Sequence, residues 1–172
     1  MEFGQEKKCF YRFKNPKNSD FPKMIELFSR NKNIKLPKNI HLIPVHISDE
    51  ISSLSAILLN DDYYDFMVRG KRLIDGIAVL DERHLIPFKA KAYCELIERR
   101  KQGEKGQSRH IEKHYKDITN LVKLLVPNER IELYGMVKKD MQTFVDDILT
   151  SEFVPKNYDR MKLYNILKNI YL

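Results

Sequence analysis

Three charged residues lie in segments whose neighbours are apolar: Glu26, Lys89 and Asp117. Because burying a charge without compensation is costly, charges in such positions are often functional. An inward carboxylate at Glu26, on a strand with apolar residues on both faces, suits metal binding or acid–base chemistry. Lys89 suits a pocket that holds an anion, and Asp117 suits the role of orienting that lysine.

Each of these positions also has a structural explanation. Lys89 can form an ion pair with Asp117 across a pair of helices, or extend its ammonium group to solvent. Glu26 can lie at the edge of a sheet near water. The sequence leaves both explanations open beside the functional ones.

Histidines offer a weaker candidate site. His110 and His114 are spaced i, i+4, which is compatible with zinc binding, but no third ligand is evident. His41 and His46 lie five residues apart on a predicted strand and would face opposite sides. We therefore expect ordinary surface histidines here rather than a zinc site.

Helical periodicity places the two later charges on specific faces. Stepping 100° per residue along a predicted helix over 82–102 puts Lys89 in an apolar stripe with Leu85, Ala92, Tyr93 and Leu96. Along a second predicted helix over 108–125, Asp117 lies at the edge of the core stripe formed by Ile111, Tyr115, Ile118, Val122 and Leu125.

The whole chain divides into a β-rich first half and a helical second half, which predicts an α+β fold. Strands are predicted over 9–15, 23–30, 40–47 and 76–81, a strand or helix over 55–59, and helices over 61–71, 82–102, 108–125, 136–151 and 158–171. The first two strands should form a hairpin, and Pro44 favours an edge strand. Asp81 and Ser108 are candidate helix N-caps. We expect a β-rich part over 1–81 and a helical bundle over 82–172, packed as one compact unit.

The composition is that of a soluble globular protein with a basic surface. The 172 residues are 42% hydrophobic and 32% charged, with a net charge of +7. No apolar run approaches the ~20 residues that a membrane-spanning helix needs, and the N-terminus has no signal-peptide pattern. Cys9 and Cys94 are the only cysteines, which favours a reducing cytoplasm. The basic excess favours nucleic acid or nucleotide phosphates as partners, or is simply a lysine-rich surface.

Four segments together resemble a known family. They are FYRF with PKMIELFSR, then SSLSAILLNDDYYDF, then HLIPFKAKAYCELIERR, and finally KHYKDITNL. This combination, over roughly residues 9–125, resembles the AbiEii-type nucleotidyltransferase family of abortive-infection toxins. The resemblance implies a partial nucleotidyltransferase-like mixed sheet followed by a C-terminal helical bundle.

The resemblance also implies a chemistry. The family transfers a nucleotidyl group from an NTP by two-metal catalysis, so Mg²⁺ is the implied cofactor. Glu26 resembles a metal-binding and catalytic carboxylate. Lys89 resembles a lysine that contacts the nucleotide, with Lys91 and Lys116 as further candidate nucleotide-binding residues, and Asp117 would position Lys89 or act as a base. The implied partners are an NTP, tRNA or another RNA, and a cognate antitoxin.

One motif of the family does not occur in this sequence. A Gly-Ser pair followed by Asp-x-Asp, which binds metal and phosphates in the family, is not found. We therefore expect an incomplete domain, from a truncated gene or a split protein that needs a complementing N-terminal chain, without transferase activity alone. The alternative is a non-catalytic basic module that binds RNA or protein.

Overall fold

The computed structural model describes residues 3–4, 12–26, 28–30, 42–44, 55–106, 108–126, 129–152 and 159–172. The chain forms two compact units, Met1–Tyr64 and Asp65–Leu172, and the α+β class is confirmed. The predicted division after residue 81 stays a prediction. None of the described helices combines the length and apolar character needed to cross a membrane.

Short strands form two sheets in the first unit. Their bounds are β1 Phe3–Gly4, β2 Arg12–Pro16, β3 Met24–Glu26, β4 Phe28–Arg30, β5 Leu42–Pro44 and β6 Ser55–Leu59. One sheet has the antiparallel order β1-β2-β3 and the other has the mixed order β4-β6-β5. The predicted hairpin of β2 and β3 is confirmed, as is the edge position of Pro44, which has no N–H to donate to a neighbouring strand.

The predicted continuous strand over 23–30 was wrong. β3 pairs antiparallel with β2, whereas β4 pairs parallel with β6. Residue 27, which joins them, lies outside the described residues. A run of apolar residues reports burial but not the partner of each backbone segment. The strands of the first half therefore do not form the single mixed sheet that was expected.

The second unit is helical apart from one hairpin. Its elements are α1 Asp61–Arg69, which begins in the first unit, β7 Lys71–Ile74, β8 Ile77–Leu80, α2 Glu82–Lys101, α3 Ser108–Val122, α4 Gly135–Thr150 and α5 Arg160–Tyr171. All five predicted helices are confirmed with small differences at their ends. The strand β7 was not predicted, and it pairs with β8 through a two-residue turn at Asp75 and Gly76, both with positive φ.

Aromatic side chains hold α2, α3 and α4 together. Tyr93 meets Phe144 edge-on with ring centroids 5.0 Å apart, and Tyr115 lies 6.3 Å from both rings. All three side chains are fully buried. The hydroxyl group of Tyr93 donates to Asp147 at 2.8 Å and also contacts Ser151 at 2.9 Å. This buried polar contact satisfies the tyrosine inside an otherwise apolar core.

A tyrosine on α5 supplies a hydrogen bond that a proline within α2 cannot make. Pro87 has no N–H, so it cannot donate to the carbonyl of Arg83 four residues earlier. The hydroxyl group of Tyr171 donates to this carbonyl at 2.8 Å instead. Tyr171 is buried, and burial raises the pKa of its hydroxyl group, which therefore remains a donor. The C-terminal helix thus supplies the hydrogen bond that the sequence of α2 removes.

Candidate functional site

The start of α2 is fixed by one buried carboxylate. Asp81 accepts a hydrogen bond from the backbone N–H of His84 at 2.9 Å, which confirms the predicted N-cap. The same side chain, 4% exposed, forms salt bridges of 3.1 Å with Arg72 and Arg83. A Cβ at Gly70 would lie 2.2 Å from the ring of His84, so only glycine fits there. These contacts fix the residue at which α2 begins.

The buried face of α2 is rotated from the predicted stripe. Its buried residues are Ile86, Pro87, Ala90, Tyr93 and Ile97. The placement of Lys89 inside an apolar stripe with Leu85, Ala92 and Leu96 was therefore wrong. Because α2 packs against both α3 and α4, its core face follows the middle of that contact and leaves Lys89 at the border with α3.

Lys89 and Asp117 meet across the seam between α2 and α3. The ammonium group of Lys89 donates to Asp117 Oδ2 at 2.9 Å. The two side chains are 26% and 30% exposed, so water still reaches both. This geometry is the ion pair that the sequence left open as the structural explanation, and a half-exposed pair of this kind contributes only about 0–1 kcal/mol to stability.

His114 lies beside this pair on α3. Its Nδ1 atom is buried and has no hydrogen-bond partner among the described residues. Burial lowers the pKa of His114, the charge of Lys89 lowers it further, and Asp117 opposes the shift. His114 is therefore a neutral imidazole next to a charged pair. The sequence had placed His110 and His114 beside Asp117 on this helix, and the i, i+3 spacing of His114 from Asp117 is the signal for this position.

Lys91 and Lys116 do not join this cluster closely. Lys91 points toward α4, where it binds Glu95 at 2.8 Å and Asp140 at 3.6 Å. Burial opposes the charged form of Lys91, but these carboxylates outweigh it and raise its pKa. Lys116 is exposed on α3, next in sequence to Asp117. Of these two lysines, only Lys116 lies on the same helix as Asp117, the partner of Lys89.

Glu26 belongs to the first unit. It is the last residue of β3, at the end of the order β1-β2-β3, and is paired in register with Arg12. Its side chain is partly buried. From the sequence we predict that Glu26, Lys89 and Asp117 converge on one cleft, and this stays a prediction.

The implied Mg²⁺ site gains no support from the described residues. Within these ranges no group of three or more histidine, cysteine, aspartate and glutamate side chains lies close enough to hold a metal ion. Mg²⁺ usually keeps several waters and is held by one or two carboxylates together with substrate phosphates. Mg²⁺ at Glu26 and zinc at His110 and His114 therefore gain no ligand set from this part of the chain.

The cavities described in the second unit lie elsewhere. Four of them have volumes of about 350 to 440 Å³. Neither Lys89 nor Asp117 lines any of the four. A ligand of Lys89 would therefore bind along the open seam between α2 and α3 rather than in one of these cavities.

Searches of known protein families, curated proteins and solved structures found no match to this chain.

Proposed function

We propose that the chain is a nucleotidyltransferase-like domain of a toxin or abortive-infection system, which binds an NTP through Lys89. The acceptor of the nucleotidyl group would be an RNA or a protein. The proposal is supported by the resemblance together with the contact of 2.9 Å between Lys89 and Asp117, which is also the structural ion pair described above. These are the two residues that the family resemblance assigns to nucleotide binding and positioning.

The chemistry of the seam suits a phosphate. An ammonium group is a compact charge with three donors, so Lys89 can keep one hydrogen bond to Asp117 and offer the others to phosphate oxygens. Asp117 would hold the lysine in place. The neutral imidazole of His114 adds a polar group without adding a competing negative charge.

No transfer step is assigned to the described residues. Glu26 supplies one carboxylate, and Mg²⁺ stays an expectation from the resemblance. The proposal is therefore that this chain binds the nucleotide, and that transfer needs further metal-binding carboxylates, for example from a complementing chain. Incubation with Mg²⁺, each labelled NTP and total tRNA should leave the label on the nucleotide.

Hydrogen–deuterium exchange with and without each NTP tests the nucleotide site. We expect slower exchange in peptides around Lys89 on α2 and around Asp117 on α3. Peptides from α5 serve as the internal control and should exchange at the same rate in both states. Protection confined to another region, or no protection with any NTP at millimolar concentration, would contradict the proposed site.

A further inference from the structure

The hairpin of α2 and α3 carries unpaired positive charge at its closed end. Residues 99–113 contain six lysines and arginines against two glutamates, a formal excess of four positive charges. The exposed members, which we call the basic tip, are Arg99, Lys101, Lys105, Arg109 and Lys113.

Several cations elsewhere in the second unit have acidic partners. Lys89, Lys91, Arg72 and Arg83 each form a salt bridge with a carboxylate. For the five residues of the basic tip, by contrast, no ion pair or side-chain hydrogen bond is found within the described ranges. Mutual repulsion among such close cations costs free energy, so the basic tip suits an anionic partner.

The backbone holds these cations in one place. α2 and α3 share the largest contact in the second unit, and Arg100 reaches across the loop to the hydroxyl group of Ser108. Gly103 and Gly106 turn the loop with positive φ, and both face open space. An incoming partner can therefore approach the loop backbone closely.

The N-terminal end of α3 adds to the positive field. No acidic residue lies in the first turn of α3, where Arg109 stands instead. The N-terminal end of a helix carries partial positive charge, so a cation there is unfavourable in the isolated chain. The arrangement becomes favourable when a negative group binds.

The residue types of the tip favour one class of anionic partner over others. Residues 98–110 contain no aliphatic side chain and no phenylalanine, tyrosine or tryptophan. Protein interfaces are usually built around apolar or aromatic anchors, amphipathic helices bind membranes through a buried apolar face, and single-stranded nucleic acids are usually bound by stacking on aromatic rings. Contacts to the phosphates of a duplex need neither.

We propose that the basic tip binds the phosphodiester backbone of a nucleic acid duplex without reading its base sequence. The part of this surface around the loop is separate from the proposed nucleotide site, because twelve residues from Lys89 to Lys101 span roughly 18 Å of helix. Lys113, one helical turn before Asp117, borders that site and stays unchanged in the test below. The tip would hold a long polyanion while the seam at Lys89 holds a mononucleotide. The two sites can therefore be tested separately.

The test compares two triple variants of the full chain with equal loss of charge. The tip variant is Lys101→Gln, Lys105→Gln and Arg109→Gln. The control variant is Lys138→Gln, Lys139→Gln and Lys162→Gln, which removes three exposed lysines from α4 and α5. Fluorescence anisotropy with labelled RNA and DNA duplexes of unrelated sequences gives the affinities at several salt concentrations. Circular dichroism and thermal unfolding verify that both variants are folded.

We expect the tip variant to bind at least about tenfold more weakly than the unmodified chain, and its salt slope to fall by about 2 to 3. The control variant should lose less than about threefold. A tip-dependent loss with either duplex supports the proposal, and the duplex that binds more tightly identifies the source of the phosphates. Equal losses in both variants, no binding of either duplex, or tip-dependent binding only to phosphatidylserine vesicles would overturn it. NTP protection around Lys89 should be the same in the tip variant, so failure of one site is distinguishable from failure of the other.

Discussion

The side chains of Lys89 and Asp117 are 2.9 Å apart although 28 positions separate them in the sequence. We expect a double-mutant cycle with Lys89→Met and Asp117→Asn, measured by urea unfolding, to give a coupling of about 0.2–1 kcal/mol, because water still reaches both groups. The pair Lys91 and Glu95 on α2 is the matched comparison and should give about 0.3–0.5 kcal/mol. A coupling of zero for Lys89 and Asp117 would contradict a stabilising contribution from this pair.

The hydrogen bond from Tyr171 to the carbonyl of Arg83 predicts that Pro87→Ala reduces the stability cost of removing the Tyr171 hydroxyl group. Tyr171→Phe leaves this carbonyl without its donor and should lower the free energy of unfolding by about 1–3 kcal/mol. In a Pro87→Ala background, position 87 has an N–H that can donate to the same carbonyl. The cost of Tyr171→Phe should then fall by at least half. Equal costs in the two backgrounds would show that the tyrosine does not replace the missing backbone donor.

Two N-cap aspartates allow the contribution of helix capping to be measured separately from the contribution of the carboxylate charge. Asp81 caps α2 and also binds Arg72 and Arg83, whereas Asp159 is exposed and caps α5. Asparagine caps helices about as well as aspartate. Asp159→Asn should therefore change stability by less than about 0.5 kcal/mol, and Asp81→Asn should cost about 1.5–3 kcal/mol through its lost charged hydrogen bonds. Chemical unfolding of both variants measures this, and similar costs would contradict the role of the arginines.

The lowered pKa of His114 predicts a loss of stability in mild acid. In the unfolded chain this imidazole takes a proton near pH 6.5, whereas in the folded chain it does so only at lower pH. Stability from this group is therefore complete above about pH 6.5 and falls as the pH drops toward the folded-state pKa. Urea midpoints at pH 7.5, 6.5 and 5.5 should decline less in His114→Gln than in the unmodified chain. His110→Gln is the control, and an equally small decline in that variant would assign the effect to another group.

Local signals predicted the helical half well. The bounds of α2, its cap at Asp81 and the buried stripe of α3 follow from periodicity and capping chemistry, which act within a few residues. The rotation of α2 did not follow, because it depends on two neighbouring helices at once. The split of 23–30 between two sheets was also beyond reach, since strand partners are chosen over long sequence distances. The strand β7 was not predicted because Lys71 and Arg72 interrupt the apolar alternation that marks a strand.

The difference between local and long-range signals also explains which features of the candidate site could be predicted from the sequence. Lys89 and Asp117 were recognised as charges at odds with their neighbours, and their contact was one of the stated alternatives. The partner of Lys91 on α4, Asp140, carries no local signal, because it comes from a helix more than forty residues away. The role of Glu26 in metal binding or acid–base chemistry was assigned from the apolar residues around it. Glu26 lies in the first unit, and this role stays a prediction.

The most direct test of the central claim is the dependence of nucleotide affinity on Lys89. Isothermal titration of the full chain with each NTP, and with the matching nucleoside that has no phosphates, isolates the contribution of the phosphates. We expect Lys89→Gln to weaken NTP binding by about tenfold to a hundredfold, the loss of one charged hydrogen bond, and to leave nucleoside binding unchanged. Lys139→Gln, which removes an equal charge from the exposed face of α4, should change NTP affinity by less than about twofold. Equal effects of the two substitutions, or no NTP binding by the unmodified chain, would contradict a nucleotide site at Lys89.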